Sequence, residues 1–389
     1  MKILNTHVIM FETYNNEKPN LVQYPMHFPT SGLAALQDSL LLDEDVWYCQ
    51  ITTEDSLDIF DVKRIMGSEI FDRVLNKNAT IVIDLSFEPF LNCIDSIYKN
   101  IVIKHGAPPS QIIFLSALYD ADVYNINAAA KYNCDPIRTF YFSALEYMAR
   151  DYRDAIPNTL AIKSYDKKFL NLNRRWRPHR PLLTLLLYHR NLLDKGFVSF
   201  GPCEGWQDNW EYQMPGLKVR SLDNPEMLEA IHQSEDTIKH LPPLYLDTDE
   251  LHINRAQLTS STNKYYEDSY FSLISETTFY HKDEIRNSRF ITEKTYKAIV
   301  LNHPFVLVTI PKSLEALKEL GYKTFSPWID ESYDDEIDDN KRLMLIVKET
   351  ERLCNLSEKE LEEFLIATKE ICAYNYNIFK NRKVFVYKK

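Results

Sequence analysis

Glycine is scarce in this chain of 389 residues, with eight in all. They form no GxGxxG and no GxxxxGK followed by Ser or Thr. A nicotinamide-type dinucleotide fold and a P-loop ATPase therefore have no sequence support. The six cysteines (Cys49, Cys93, Cys134, Cys203, Cys354, Cys372) are scattered, without a CxxC pair or close Cys/His spacing. That pattern argues against a structural zinc site and a disulfide scaffold, and it suits small core hydrophobes. No run approaches the roughly 20 apolar residues that a membrane helix needs. Met1-Lys2-Ile3-Leu4-Asn5 reads as a strand start and lacks the features of a signal peptide. The expectation is a cytoplasmic protein without a membrane partner. Positive charge is in deficit: 45 Lys and Arg against 56 Asp and Glu, net -11. There is no global attraction to nucleic acid, although positive charge can still be local.

What is present suits a soluble α/β protein. Hydrophobic residues make up 45% and charged residues 26%, enough to build real cores, and the length favours two or three domains. Short β-branched or aromatic runs at 46–51, 80–85 and 111–116 read as strands, with a helix from Glu88 to Tyr98 between the last two and Pro108-Pro109 marking a loop. Strand, helix, strand at this spacing suggests a βαβ unit and a parallel sheet. Residues 138–154 are aromatic and helix-like. The domain boundary is expected near 155–165, after which the logic repeats. Strands are expected at 167–172, 196–200, 269–276 and 304–308, and helices at 181–194, 292–300 and 312–321. One or two helices should fill 341–375, and the acidic run 330–339 reads as a solvated loop. The expected division is 1–160, 161–355 and a helical tail 356–389 that packs back on the first domain.

Two stretches carry candidate chemistry. The first, Lys167 to Arg180, holds six cations and a histidine in fourteen residues, including Arg174, Arg175, Arg177, His179 and Arg180. It runs from an apolar strand straight into a helix. Open α/β sheets bind ligands outside the carboxyl ends of their strands, and helix N-termini offer free N–H groups. Guanidinium groups add bidentate hydrogen bonds to phosphate oxygens. A diphosphate fits this description. A solvated basic face and a nucleic-acid backbone contact are the alternatives.

The second stretch is Arg289-Phe290-Ile291-Thr292-Glu293-Lys294-Thr295, opening a helix before an apolar strand. Thr292 can cap that helix and Glu293 suits its dipole. The same carboxylate could accept two hydrogen bonds from a ribose diol, with Arg289 or Lys294 neutralising phosphate. With Leu273-Ile274-Ser275-Glu276-Thr277 before it and His303-Pro304-Phe305-Val306 after it, the stretch resembles the donor-binding segment of GT-B glycosyltransferases, especially fucosyltransferase-like enzymes. The segments 320–325 and 329–334 look like those of glycosyltransferase-like proteins of phages and large viruses, which would place the protein in a host cytoplasm. The resemblance spans about residues 163–355. It implies two Rossmann-like α/β domains facing a central cleft, Glu293 on the donor ribose, Arg289, Lys294 and the arginine cluster on the diphosphate, and Glu276 and Thr292 among the donor-binding residues. The glycine usual in the loop after the Thr-Glu-Lys helix is absent, and Leu301-Asn302-His303 stands there.

In that fold the N-terminal half binds the acceptor and, in an inverting enzyme, supplies a base. Asp84 and Glu88, around the end of the strand at 80–85, fit best, ahead of His105; an ordinary cap or surface acid is the competing reading. Asp247-Thr248-Asp249 matches the metal-binding Asp-x-Asp of the GT-A fold, but it follows Pro242-Pro243 without a nucleotide-binding sheet before it and reads as a turn. The expectation is a metal-independent glycosyltransferase without a resident cofactor. Its partners would be a nucleotide-diphosphate sugar and an acceptor glycan, protein or modified DNA base. The alternatives are a phage enzyme acting on hydroxymethylated bases and a non-catalytic binding or assembly protein on a transferase scaffold.

Overall fold

The computed structural model describes residues 3–9, 45–51, 63, 66–86, 92–150, 163–173, 177–200, 210–238, 260–281, 288–382 and 386–387. The chain divides into two compact units. The first is Met1–Met148 with Asp283–Phe290 and Lys383–Lys389; the second is Ala149–Lys282 with Ile291–Arg382. The units are thus interleaved rather than consecutive, and the segment carrying Arg289 falls with the first.

In the first unit, β1 (Ile3–Ile9), β2 (Asp45–Ile51), β3 (Ala79–Leu85), β4 (Ile112–Ser116) and β5 (Arg138–Tyr141) pair in parallel, in chain order. Val386–Tyr387 adds an antiparallel edge beside β5. Between these strands run α1 (Ser68–Leu75), α2 (Asn92–Ile97), which continues as a π-helical turn over Tyr98–Ile103, and α3 (Ala121–Lys131); α4 (Ala144–Arg150) follows β5. Right-handed crossovers between sequential neighbours put their helices on one face. The larger core confirms this, joining Trp47, Ile81, Ile83 and Phe114 from the strands to Phe71, Ile97 and Ala128 from the helices. The alternate strand positions Val46, Tyr48, Val82, Ile113 and Leu115 form a second cluster with Phe140. Among the described strands, the five parallel ones follow one another in chain order, so no switch point lies between them.

The second unit has such a point. Its strands β6 (Lys167–Asn173), β7 (Gly196–Phe200), β8 (Ser269–Ser275) and β9 (Phe305–Val308) stand in the order β7-β6-β8-β9, all parallel. The chain leaves β6 through α5 (His179–His189) to β7 on one side. It passes α6 (Trp210–Arg220), α7 (Pro225–Ile238) and α8 (Ser260–Glu267), then returns to β8 on the other side of β6. From β8 it continues through α9 (Glu293–Val300) to β9. Gly196 opposes Phe169 across β6 and β7, and a Cβ there would lie 2.4 Å from the phenyl ring.

After β9 come α10 (Ser313–Glu319), α11 (Asp339–Cys354) and α12 (Glu358–Asn381). The Asp338 side chain caps α11 by accepting the Lys341 N–H, and Ser357 with Glu360 forms a capping box on α12. The acidic run is partly ordered: Ser332–Asp335 is a 3₁₀ turn, and the buried Asp334 carboxylate accepts the Leu314 and Glu315 N–H groups of α10. Few glycines means that helices end on other residues. Asn133, Asn191 and Asn302 adopt left-handed φ of 52°, 55° and 53° just past α3, α5 and α9. Asparagine tolerates that region best after glycine. The turn after α9, Leu301-Asn302-His303, has no glycine and keeps its geometry through Asn302. Its N–H reaches Ile299 O at 3.1 Å and that of His303 reaches Ala298 O at 2.9 Å, the paired bonds of a Schellman motif. One sequence expectation is corrected here: 138–154 is not one helix, because Arg138–Tyr141 is completed as a strand by pairing with β4 and Val386–Tyr387.

Candidate functional site

The strand order of the second unit sets a topological switch point between β6 and β8, where open α/β sheets bind ligands beyond the strand carboxyl ends. By the right-handed rule α5 and α9 then flank it from opposite faces, each bringing its N-terminus to that edge. Four residues of the two sequence-predicted stretches, His179 and Arg180 from the first and Thr292 and Thr295 from the second, meet there at the end of β8.

Glu276 is the junction. Its backbone is held to β9 by its N–H donating to Val308 O at 3.0 Å. Its carboxylate accepts the Thr292 N–H at 3.0 Å, the Thr292 hydroxyl at 2.5 Å and the Thr295 hydroxyl at 2.7 Å. From the α5 side, His179 Nε2 lies 3.0 Å from Glu276 O, and Arg180 donates to Ser275 O at 3.1 Å and Glu276 O at 3.3 Å. A carbonyl only accepts, so His179 carries its proton on Nε2. Burial, reinforced by the neighbouring Arg180 charge, holds its pKa well below the ordinary imidazole value, and the ring is neutral. It stacks on Phe279 at 5.1 Å.

These residues were singled out as ligand contacts; His179, Arg180, Glu276 and Thr292 are instead buried and bonded to one another. They set the positions of two helix N-termini. The partly exposed groups are Arg177, Glu293 and Lys294. Thr292 caps α9, its side chain accepting the Lys294 N–H. Lys294 Nζ reaches Glu293 Oε1 at 2.9 Å and Thr292 Oγ1 at 3.0 Å. Burial pushes the Glu293 carboxyl up, but the Lys294 charge and the local hydrogen bonds more than offset it, leaving it below the usual carboxylate value. Glu293 is therefore an ionised acceptor at neutral pH. Arg174 and Arg175 lie outside the described residues, as do Asp247 and Asp249.

A polar relay that sequence reasoning did not single out runs beside this junction. Asn171 Nδ2 donates to Leu273 O at 2.6 Å and Ser275 Oγ at 3.3 Å, and its Oδ1 accepts Asn173 Nδ2 at 2.5 Å. The relay leaves Asn173 Oδ1 buried without a hydrogen-bond partner at the end of β6. The Thr278 and Tyr280 hydroxyls, just past β8, share that condition. The available signal was Asn171 and Asn173 at alternate positions among the apolar residues of β6, Phe169, Leu170 and Leu172.

In the first unit, Asp84 is fully buried at the end of β3. Its carboxylate accepts the Tyr48 hydroxyl and the Ser86 N–H, the latter at 2.8 Å. Burial raises its pKa, and these hydrogen bonds lower it part of the way back. Glu88 lies outside the described residues. Arg289 is engaged within the same unit: Nε donates to both Asp120 oxygens at 3.0 Å, Nη2 donates to Oδ1, and the guanidinium lies 4.7 Å from the Tyr119 ring centre. Its charge is balanced by Asp120 rather than held ready for a phosphate. His105 packs edge-on against Phe71.

Among the described residues there is no group of three or more His, Cys, Asp or Glu arranged to hold a metal ion, and no helix long and apolar enough to cross a membrane.

No protein-family model matches the chain, and no curated protein does. Among solved structures, the DNA-modifying enzyme β-glucosyltransferase, determined in the presence and absence of its substrate uridine diphosphoglucose, aligns with 91% of this chain and 84% of its own. The identity is 11% and the TM-score 0.37, a likeness too slight to carry an argument about fold or function.

Proposed function

We propose that the chain is a GT-B-type glycosyltransferase that binds a nucleotide-diphosphate sugar at the β6/β8 switch point and transfers the sugar to an acceptor hydroxyl. The observation that carries this reading is the Glu276 junction, which ties the N-termini of α5 and α9 to one strand end. Two helix N-termini at one edge turn two positive dipole ends toward an anion. Arg177 and Lys294, both partly exposed, add charge there. Glu293 accepts hydrogen bonds from the ribose diol. The same cations stabilise the diphosphate as it leaves, which is where charge develops in the transition state, so this reading requires no metal. Asp84, with its oxygens committed to Tyr48 and Ser86, serves the first unit's sheet edge in this reading.

The test is a thermal-shift screen against a panel of nucleotide sugars. A cognate donor at a hundredfold excess over its Kd raises stability by about 3 kcal/mol. Release of nucleoside diphosphate in the presence of glycan, protein or hydroxymethylated DNA then separates the acceptor classes. A panel in which no nucleotide sugar moves the melting midpoint overturns the proposal.

A further inference from the structure

Arg220 ends α6 and is exposed. Its guanidinium carbon lies 4.4 Å from the centre of the Tyr280 ring, the geometry of a cation on an aromatic face. The placement is built by the first turn of α11. Asn340 Nδ2 donates to Arg220 O at 2.7 Å, fixing the end of α6. Asp339 Oδ1 accepts the His281 N–H at 2.9 Å, and Arg342 donates to Phe279 O at 2.5 Å and Thr309 O at 2.9 Å, fixing the loop that follows Glu276. Tyr280 in turn meets the His179 ring edge-on at 6.4 Å. Arg220 is therefore held one aromatic ring away from the histidine that bonds the Glu276 carbonyl.

Two further features mark this edge as a ligand site. Asn173 and Thr278, each 2% exposed, keep a buried side-chain oxygen without a hydrogen-bond partner on the strand end and loop in question. Buried polar atoms are normally satisfied, and left alone they cost free energy. Positive charge also gathers here: Arg177, Arg180 and Arg342 all act to lower the His179 pKa. Arg342 is spent on Asp339 and backbone carbonyls, and Arg180 donates to the carbonyls at the end of β8. Arg220 is an exposed guanidinium on a fixed plate.

We propose that Arg220 is a phosphate-binding residue of this edge, positioned by the Tyr280 ring and the Asn340 tether, and that it grips the diphosphate of the nucleotide-sugar donor. The inference rests on the donor-site reading above and adds a residue outside both sequence stretches.

Calorimetry of the full chain with inorganic pyrophosphate tests it. Wild-type protein binds, and Arg220→Gln binds roughly tenfold more weakly, the loss of one charge-assisted contact. Arg220→Lys falls between, because it keeps the charge and loses the fork. Lys218→Gln, on the same helix as Arg220, breaks a surface pair with Glu235 of α7 and binds like wild type. Melting midpoints close to wild type for all three show that folding is intact. Wild-type affinity in Arg220→Gln together with weakened binding in Lys294→Gln overturns the Arg220 assignment and leaves the donor site standing. Failure of wild-type protein to bind pyrophosphate and every nucleotide sugar overturns both.

Discussion

The Glu276 carboxylate accepts both the backbone N–H and the hydroxyl of Thr292, and through them it holds the first turn of α9 at the end of β8. The Thr295 hydroxyl completes the set. Glu276→Gln puts an amide N–H against groups that are already donors. One or more of them is then left buried and unsatisfied, at about 2 kcal/mol. Urea unfolding should show a lower midpoint with an unchanged slope, and any nucleotide sugar that binds wild type should bind more weakly because Glu293 and Lys294 lose their register. A variant as stable as wild type shows that the junction does not hold α9.

Glu293 is the contrasting case. It is partly exposed and its ion partner is the adjacent Lys294, with side chains 27% and 28% exposed, so little of the fold depends on it. Glu293→Ala should change folding stability by less than about 1 kcal/mol. The two hydrogen bonds that an ionised carboxylate gives a ribose diol are worth about 3 kcal/mol together, so affinity for the nucleotide sugar should drop about a hundredfold. Titration calorimetry on the two proteins separates these effects; unchanged affinity removes Glu293 from the site.

The sheet cores were legible because buried parallel strands are continuous apolar runs, as at Thr80–Leu85, Ile112–Ser116 and Phe305–Val308. The start of α9 was legible because Thr292 announces a cap. β5 was not: four residues have no decisive period, and its strand state comes from pairing with β4 and with Val386–Tyr387, some 245 positions away in sequence. The site was half legible. Residue type and spacing pointed to Arg180 and His179, and the resemblance to donor-binding segments pointed to Glu276. They could not show that these side chains are consumed by backbone carbonyls and helix N–H groups, because that depends on where β8 ends relative to α5. Nor could they find Arg220, whose placement comes from tethers supplied by α11, some 120 residues later.

Asn302 offers a test of how the chain manages with so little glycine. Its φ is 53°, and both amide atoms are buried without a hydrogen-bond partner. Asn302→Gly removes the unsatisfied amide and suits the backbone, against a cost of about 0.5–1 kcal/mol in unfolded-chain entropy. The net expectation is a gain of about 1 kcal/mol in urea unfolding. Asn302→Ala has no freedom at positive φ and should be less stable than the glycine variant by about 1 kcal/mol. A glycine variant less stable than wild type would mean that the amide has a partner such as an ordered water.

His303 should make stability depend on pH. Its Nε2 lies 2.8 Å from Ser269 O and its Nδ1 2.8 Å from Ser272 Oγ. The carbonyl requires a proton on Nε2, and the hydroxyl then donates to Nδ1, so the neutral ring is fully bonded. Burial lowers its pKa to about 4, with the Ser269 bond opposing only weakly. A depressed histidine pKa means that the unfolded chain takes up the proton first. Its contribution is complete above about pH 6.5 and is lost as pH falls toward about 4, a total of roughly 3 kcal/mol. Asp334 acts in the opposite sense: burial raises its pKa to about 6, so its contribution is present at low pH and is lost as pH rises through about 6. The difference between proteins isolates the histidine. His303→Gln should be less stable than wild type at pH 7.5, and the gap should narrow by roughly 2 kcal/mol between pH 6.5 and 5. Parallel stability curves for the two proteins across that range would show that His303 titrates normally and that the ring is not locked in its neutral form.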